Sequence, residues 1–582
     1  MSTYRAPLQD IRFVIDHWLQ APAAWAESER FTGVDSALAL QLLEEGARFA
    51  EHQLLPLNMS GDREGCSFHA GKVTTPKGFR QAYQRYVEGG WPGLTCAVEH
   101  GGQGLPLLLG AALHEVIYAC NHGWAMYSGI AHGAYECLRT FGSAELRQAW
   151  LGKIVSGECL PTMCLTEPQA GSDVGLLRTQ ARVAEAGAYR LTGNKVFISG
   201  GEHDLTDNIV HLVLARLPDA PAGSRGLSLF LVPKLTEHGQ PNGVHCTGIE
   251  HKMGIHASAT CSLSFDQAQG WLIGQPHCGL AALFVMMNSA RTYVGLQGLA
   301  HAESAGQRAL AYAQARVQMR AVVRPEGAQA AAADPVAFHP AVRQVLWQSR
   351  ALTEGMRAIG YWSAHLLDLA EQSQGAARHT LEARIGLLTP VVKAFFTEQG
   401  FQLASDALQV FGGYGYVTES GIEQTVRDSR VAMIYEGTNE IQANDLLVRK
   451  VLGDRGEALE ALLDHVLEDA GLASDAEGRR WAQQLHVASE GLRAWVRGLV
   501  RHDDREYAYR AAGDFLQALA MVLLGHAWAR AARLALMQVE QPFYRRKRQT
   551  AAYFFDHVWL RFEYRLQCLQ MAELPLPFVD EL

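Results

Sequence analysis

The sequence predicts an α+β chain built as helices, then a sheet, then two further helical blocks. Three observations predict it. Apolar residues fall at helical spacing over residues 1–158. Short β-branched runs separated by turn residues replace that spacing over 159–279. Helical spacing then returns over 280–452 and continues over 453–582. With 582 residues, 48% hydrophobic and 19% charged, the chain suits several folded domains and excludes disorder as its main state.

The elements follow in order. Ser36 to Leu55 carries Leu38, Leu40, Leu42, Leu43 and Phe49 between charged residues, an amphipathic helix. Pro92, Gly93, Gly101, Gly102, Gly104 and Pro106 punctuate an irregular connector. Leu107 to Phe141 reads as one or two buried helices, and Ser143 to Val155 as an amphipathic one. The runs TQARV, KVFIS, NIVHLVLARL, LSLFLV and CSLSF are strands of a compact β domain. Gly412, Gly413 and Gly415 break the next helical block, and Gly453 to Glu477 looks like the approach to a separate unit.

Several functions are disfavoured. The net charge is −9, which argues against a basic nucleic-acid binder. The ten cysteines show no C-x-x-C spacing, so no metal site is expected, and reduced thiols fit a cytoplasmic chain. No basic-then-apolar leader and no membrane span are expected. Neither G-x-G-x-x-G after an early strand nor G-x-x-x-x-G-K-[ST] occurs.

Three segments could carry chemistry. Leu165–Asp173, LTEPQAGSD, combines hydroxyls with a glycine that lets backbone N–H groups approach a ligand, although a capped loop reads the same way. In Asn194–Gly201, alternation puts Val196 and Ile198 on one face and Lys195, Phe197 and Ser199 on the other. An aromatic beside a hydroxyl suits a planar ring, and also an ordinary sheet surface. In Arg427–Glu440 a carboxylate, Glu436, ends an apolar run, where desolvation would make it a better base; a solvent-facing helix-start Glu is the other reading.

LTEPQAGSD, KVFISGG, FGGYGY and IYEGTNEIQ, in this order over roughly residues 35 to 450, resemble the acyl-CoA dehydrogenase family of flavoenzymes. The added N-terminal YRAPLQDIRF and the C-terminal extension resemble its longer bacterial branch, which includes the methylthiopropionyl-CoA dehydrogenases. The resemblance implies an N-terminal all-α domain (1–158), a central β domain (159–279), a four-helix flavin domain (280–452) and an added helical extension (453–582). It implies FAD as cofactor. Met163, Leu165 and Thr166 would line the flavin ring, with Gly171 and Ser172 serving the pyrophosphate and CoA arm. Phe197 stands where the family usually has Trp, and Ser199 where it has Thr. Arg316 would reach a neighbouring subunit's FAD, with Gln409 and Gly413 as return contacts, so a homodimer or homotetramer is expected. Thr438 and Glu440 follow the base, where the family contacts FAD. Val317-Gln318-Met319-Arg320 departs from the family's pattern after Arg316.

The implied reaction removes the α proton with Glu436 and passes the β hydrogen as hydride to flavin N5, giving trans-2-enoyl-CoA. This is a step of fatty-acid β-oxidation, with acyl-CoA as substrate and electron-transferring flavoprotein as acceptor. Some branches place the base one residue before the arginine of the first long helix. Here that residue is Ala290, so Glu436 is the candidate, with Arg291 as its aid. His122, Trp124, Tyr127 and His132 could shape the acyl pocket. Two alternatives stay open: an oxygen-using acyl-CoA oxidase, and a DNA-associated flavoprotein of the same superfamily. The second draws on Arg545-Arg546-Lys547-Arg548, but from Asp454 onward 16 Lys/Arg face 19 Asp/Glu.

Overall fold

The computed structural model describes residues 4–329 and 331–578. The chain divides into two compact units: residues 45–293, and the residues up to Glu44 together with those from Val294.

The 45–293 unit opens on helices and a small hairpin that the sequence reading did not foresee, β1 (Ser67–His69) and β2 (Lys72–Thr74). Its turn is Ala70-Gly71, both at positive φ, and it lacks the Asn-Gly signature such a turn favours. Leu107–Ser128 and Ala131–Phe141 are two helices. Asn121 interrupts the first with non-helical backbone. Its side chain compensates: Oδ1 accepts the Trp124 N–H at 2.9 Å and Nδ2 donates to Leu54 O at 3.2 Å. Ser143 caps the helix Ala144–Val155 by accepting the Leu146 N–H.

The main sheet has seven strands: β3 (Cys159–Cys164), β4 (Gln180–Val183), β5 (Tyr189–Ser199), β6 (Asn208–Arg216), β7 (Leu227–Pro233), β8 (Val244–Ile249) and β9 (Thr260–Ile273). The order is β3-β6-β4-β5-β9-β7, with β8 on β9 and β6 also paired to β7. β3 and β6 run parallel; β6–β7, β5–β9 and β8–β9 are antiparallel. β7 is buried at every position, because both of its faces are covered. Leu212, Leu214, Leu229 and Leu231 share a core with Leu151 and Ile154 and with Ala282, Leu283 and Met286 of the helix Gly279–Ala315.

β5 corrects the alternation expected for KVFIS. Lys195 opposes Leu263 and Ile198 opposes Cys261, so β5 holds one extra residue there. Lys195 and Ile198 are therefore both buried, while Phe197 takes φ +61° and is 62% exposed.

The other unit is helical. After Val294 the helix Gly279–Ala315 continues to its end, followed by Pro340–Gln372 and Gly375–Phe411. The extension is not a separate body. Trp528 Nε1 donates to Ala351 O at 2.8 Å, and Gln517 Nε2 to Glu398 at 2.7 Å, both across to the two long helices. The extension also holds the N-terminal segment. Trp18 Nε1 donates to Ala527 O at 3.1 Å, Arg530 Nε donates to Trp18 O at 2.9 Å, and the Phe13 and Phe543 rings meet edge-on. The stretch Glu506–Gln538 is long and apolar enough to cross a membrane by composition, but 83% of its most apolar window is buried within the protein.

The basic cluster also reads differently in three dimensions. Lys547 is buried between Asp10 and Glu354, and Arg548 pairs with Asp475 and Glu477. Only Arg545 and Arg546 are exposed, so the cluster offers no broad cationic face.

Buried and half-buried histidines make the fold acid-sensitive. Burial pushes His203, His211 and His526 down to about 3, and His114, His301, His365 and His465 down to about 4. The unfolded chain takes up protons on these rings from about pH 6.5 downward, whereas the folded chain does not until near pH 4. Stability is therefore lost as pH falls through that window, by up to ~1.4 kcal/mol per pH unit for each ring. Urea midpoints are expected to fall steadily between pH 7 and pH 5; a flat profile would contradict the neutral burial of these rings.

Candidate active site

The candidate residues fall into two groups, one in each unit. In the 45–293 unit, Met163 is the penultimate residue of β3, and Leu165 and Thr166 follow the strand. Val196 N donates to Thr166 O at 2.9 Å, which brings Phe197 on β5 beside Thr166. Met163, Leu165, Thr166 and Ser199 are half-buried; Phe197, Gly171 and Ser172 are exposed. A Cβ on Gly171 would meet nothing within 4 Å. The side-chain hydroxyls of Thr166, Ser172 and Ser199 have no hydrogen-bond partner among the described residues, so this face presents unused donors around an exposed aromatic ring.

Two residues of this group escaped the sequence reading as site residues: Glu167 and Lys195. Lys195 Nζ lies 2.9 Å from Glu167 Oε1 and donates to Leu165 O at 2.8 Å. Burial pushes the Glu167 carboxyl up, but Lys195, Thr179 and the Arg178 N–H outweigh it and hold it at about 2. Burial moves the Lys195 ammonium the other way, below its ordinary value, against the pull of Glu167. No local pattern signals a pair 28 residues apart in sequence.

Arg291 belongs to the same unit, is buried, and follows a buried Ala290 on the long helix. Of the four residues suggested for an acyl pocket, three are core. Trp124 Nε1 donates to Phe79 O, Tyr127 OH donates to Ala257 O and accepts from Ala259 N, and His122 is buried. His132 does line a cavity, with Tyr83, Trp91, Thr95, His114 and Tyr293.

The second group lies in the helical unit. Glu436 has φ +57° and is half-buried, and Gly437 follows at φ +86°. The turn is held from several sides. Gln442 Nε2 donates to Glu436 O at 3.2 Å, and the Tyr435 hydroxyl donates to Gln297 Oε1. Asn439 is buried: its Oδ1 accepts from Lys393 Nζ at 3.0 Å and its Nδ2 donates to Ala394 O at 3.0 Å. Thr438 Oγ1 accepts the Ile441 N–H and so caps the helix Asn439–Asn444, while Glu440 is exposed in its first turn. Lys393, Asn439 and Gln442 were not foreseen, because their roles appear only where Gly375–Phe411 packs on this turn.

Arg316, Gln409 and Gly413 also come together, where the helices Gly279–Ala315 and Gly375–Phe411 end. The Arg316 guanidinium sits 5.6 Å from the Tyr414 ring centre, and Tyr312 stacks on Phe411 at 4.2 Å. Gln409 and Gly413 are exposed beside them. The divergent Val317–Arg320 stretch forms a closed loop, with Gln318 N donating to Asp334 O and Asp334 N to Met319 O.

Comparison with known proteins bears on the whole chain. Family models described as the N-terminal, middle and C-terminal domains of acyl-CoA dehydrogenase match residues 38–158, 162–268 and 277–452. A model described as acetyl-CoA dehydrogenase C-terminal like matches 452–575. A 3-methylmercaptopropionyl-CoA dehydrogenase of Ruegeria pomeroyi is 42% identical over 88% of this chain and 88% of its own length. The broad-specificity linear acyl-CoA dehydrogenase FadE5 of Mycobacterium tuberculosis is 33% identical over 95% of each. The crystal structure of an acyl-CoA dehydrogenase complexed with FAD from Bacillus anthracis shares the fold, with a TM-score of 0.77 at 20% identity over 93% of this chain and 89% of that one. With its three-domain core and its extension all matched, the chain belongs to the acyl-CoA dehydrogenase family.

Proposed function

We propose that the chain oxidises the Cα–Cβ bond of an acyl-CoA thioester to trans-2-enoyl-CoA, with Glu436 as the base for the α proton. The observation that carries this reading is the Glu436 turn. A non-glycine residue in left-handed backbone costs on the order of 1–3 kcal/mol. Here Gln442 and Asn439 hold that conformation in place, and the residue at the positive-φ position is the carboxylate that the family motif supplies.

FAD is the cofactor. The residues fit it: unpartnered hydroxyls at Thr166, Ser172 and Ser199, an exposed Phe197, and open space over Gly171. When bound, FAD supplies the hydride acceptor for the β hydrogen. In this reading Thr166 hydrogen-bonds the polar edge of the ring, and Phe197 and Met163 cover its surface. The Glu436 N–H donates to the thioester oxygen as enolate character develops, and the Glu436 carboxylate holds the α proton. The acyl tail enters the cavity lined by His114, His132 and Tyr293. Arg316, Gln409 and Gly413, with exposed Tyr414 and Tyr416 nearby, support pairing with a second copy across FAD, and electron-transferring flavoprotein is the proposed acceptor.

Anaerobic titration of the yellow holoenzyme with a ladder of acyl-CoA esters tests this. One chain class is expected to bleach the flavin. Retained colour with every ester would sink the proposal.

A further inference from the structure

Thr166 is fixed from both sides while its own polar groups are unengaged. Lys195 Nζ ties Leu165 O to Glu167 Oε1, at 2.8 and 2.9 Å, and so spans the two neighbours of Thr166. Val196 N holds the Thr166 carbonyl at 2.9 Å. Glu167 is saturated in turn. Its Oε1 also accepts from Thr179 N at 3.0 Å and Thr179 Oγ1 at 2.6 Å. Its Oε2 accepts from Arg178 N at 2.7 Å and Gln169 Nε2 at 2.7 Å. The Lys195 side chain has no exposure and that of Glu167 only 3%. By contrast, neither the N–H nor the Oγ1 of Thr166 has a partner among the described residues.

A buried ion pair is a poor source of net stability, because desolvation cancels much of its attraction and a packed apolar pair often does as well. What this pair supplies is direction. Its hydrogen bonds, with that of the Val196 N–H to Thr166 O, fix three consecutive residues against β5, where that strand bulges to expose Phe197. We infer that Lys195 and Glu167 are positioning residues for the flavin: together they hold Thr166 so that its N–H and hydroxyl meet the polar edge of the ring. This rests on the reading that Thr166 faces the flavin, and it adds two residues that never touch the cofactor themselves.

The test uses full-length protein stripped of FAD and titrated with FAD, read by visible absorbance, with thermal melts of each apoprotein. The variants are Thr166→Ala, Glu167→Gln, Lys195→Met and the double Glu167→Gln/Lys195→Met. Each is expected to weaken FAD binding by about ten-fold or more and to displace the visible flavin band. The double variant leaves no charge buried alone, so it is expected to melt closer to wild type than Lys195→Met, yet to keep the weak binding and the displaced band. Wild-type affinity and band in Glu167→Gln and in the double variant would overturn the inference, because the pair would then serve stability only. If Thr166→Ala matches wild type in both readouts, the placement of Thr166 at the flavin fails instead. A wild-type chain that takes up no FAD would remove the cofactor and the inference with it.

Discussion

Glu436→Gln is expected to slow reduction of bound FAD by acyl-CoA about 10²–10⁴-fold, the range that a positioned base contributes. Glutamine keeps the size of the side chain and the left-handed turn, but its amide takes no proton. FAD content and the resting visible spectrum should match wild type, since the groups argued to hold the ring stand at Thr166, Phe197 and their neighbours. Stopped-flow mixing with the best bleaching ester reads the rate directly. Undiminished reduction in this variant would move the base elsewhere, and position 290 offers no substitute, being a buried alanine.

Lys547→Met is expected to cost about 3–5 kcal/mol of stability, the usual price of breaking a buried pair from one side. Lys547 Nζ bonds Asp10 and lies 2.8 Å from Glu354, and it sits 5.0 Å from the Phe13 ring centre and 5.3 Å from that of Phe543. Burial alone would lower the ammonium, but the two carboxylates outweigh it and raise it above its ordinary value. Methionine fills much of the space, takes the paired cation from Asp10 and leaves Glu354 with Arg350 alone. Urea unfolding of holoenzyme, compared with Arg546→Met at the exposed neighbour, isolates the effect; Arg546→Met should stay within about 0.5 kcal/mol of wild type. Equal behaviour of the two variants would mean that Lys547 is not a structural ion.

The order of blocks was legible because each has a long-range rhythm. NIVHLVLARL and LSLFLV became β6 and β7, and Ser143–Val155 became a capped helix at the expected place. Short or irregular features were not legible. β1 and β2 have three residues each, below what periodicity can register. The bulge at Phe197 inverted the expected facing of Ile198 relative to Lys195, because one inserted residue changes the phase of a two-residue repeat. Glu436 could be named from its motif, whereas its partners could not. Asn439, Lys393 and Gln442 act through packing between segments distant in sequence, as do Glu167 and Lys195. The RRKR cluster misled for the same reason: composition counts charges, and only the fold shows that Lys547 and Arg548 are already matched by acids.

The clasp between the N-terminal segment and the extension has a consequence for biogenesis. Trp18 meets Ala527 across 509 residues of sequence, so a ribosome adding roughly 5–20 residues per second exposes Phe13 and Trp18 for about 25–100 s before their docking surface is made. The 45–293 unit is continuous in sequence and can collapse meanwhile. The helix that carries Phe13 and Trp18 cannot, and remains an apolar handle until the extension has been made. The chain therefore suits a late, all-at-once closure of its helical unit, and its yield in cells should depend more on holdase chaperones than its finished stability would suggest.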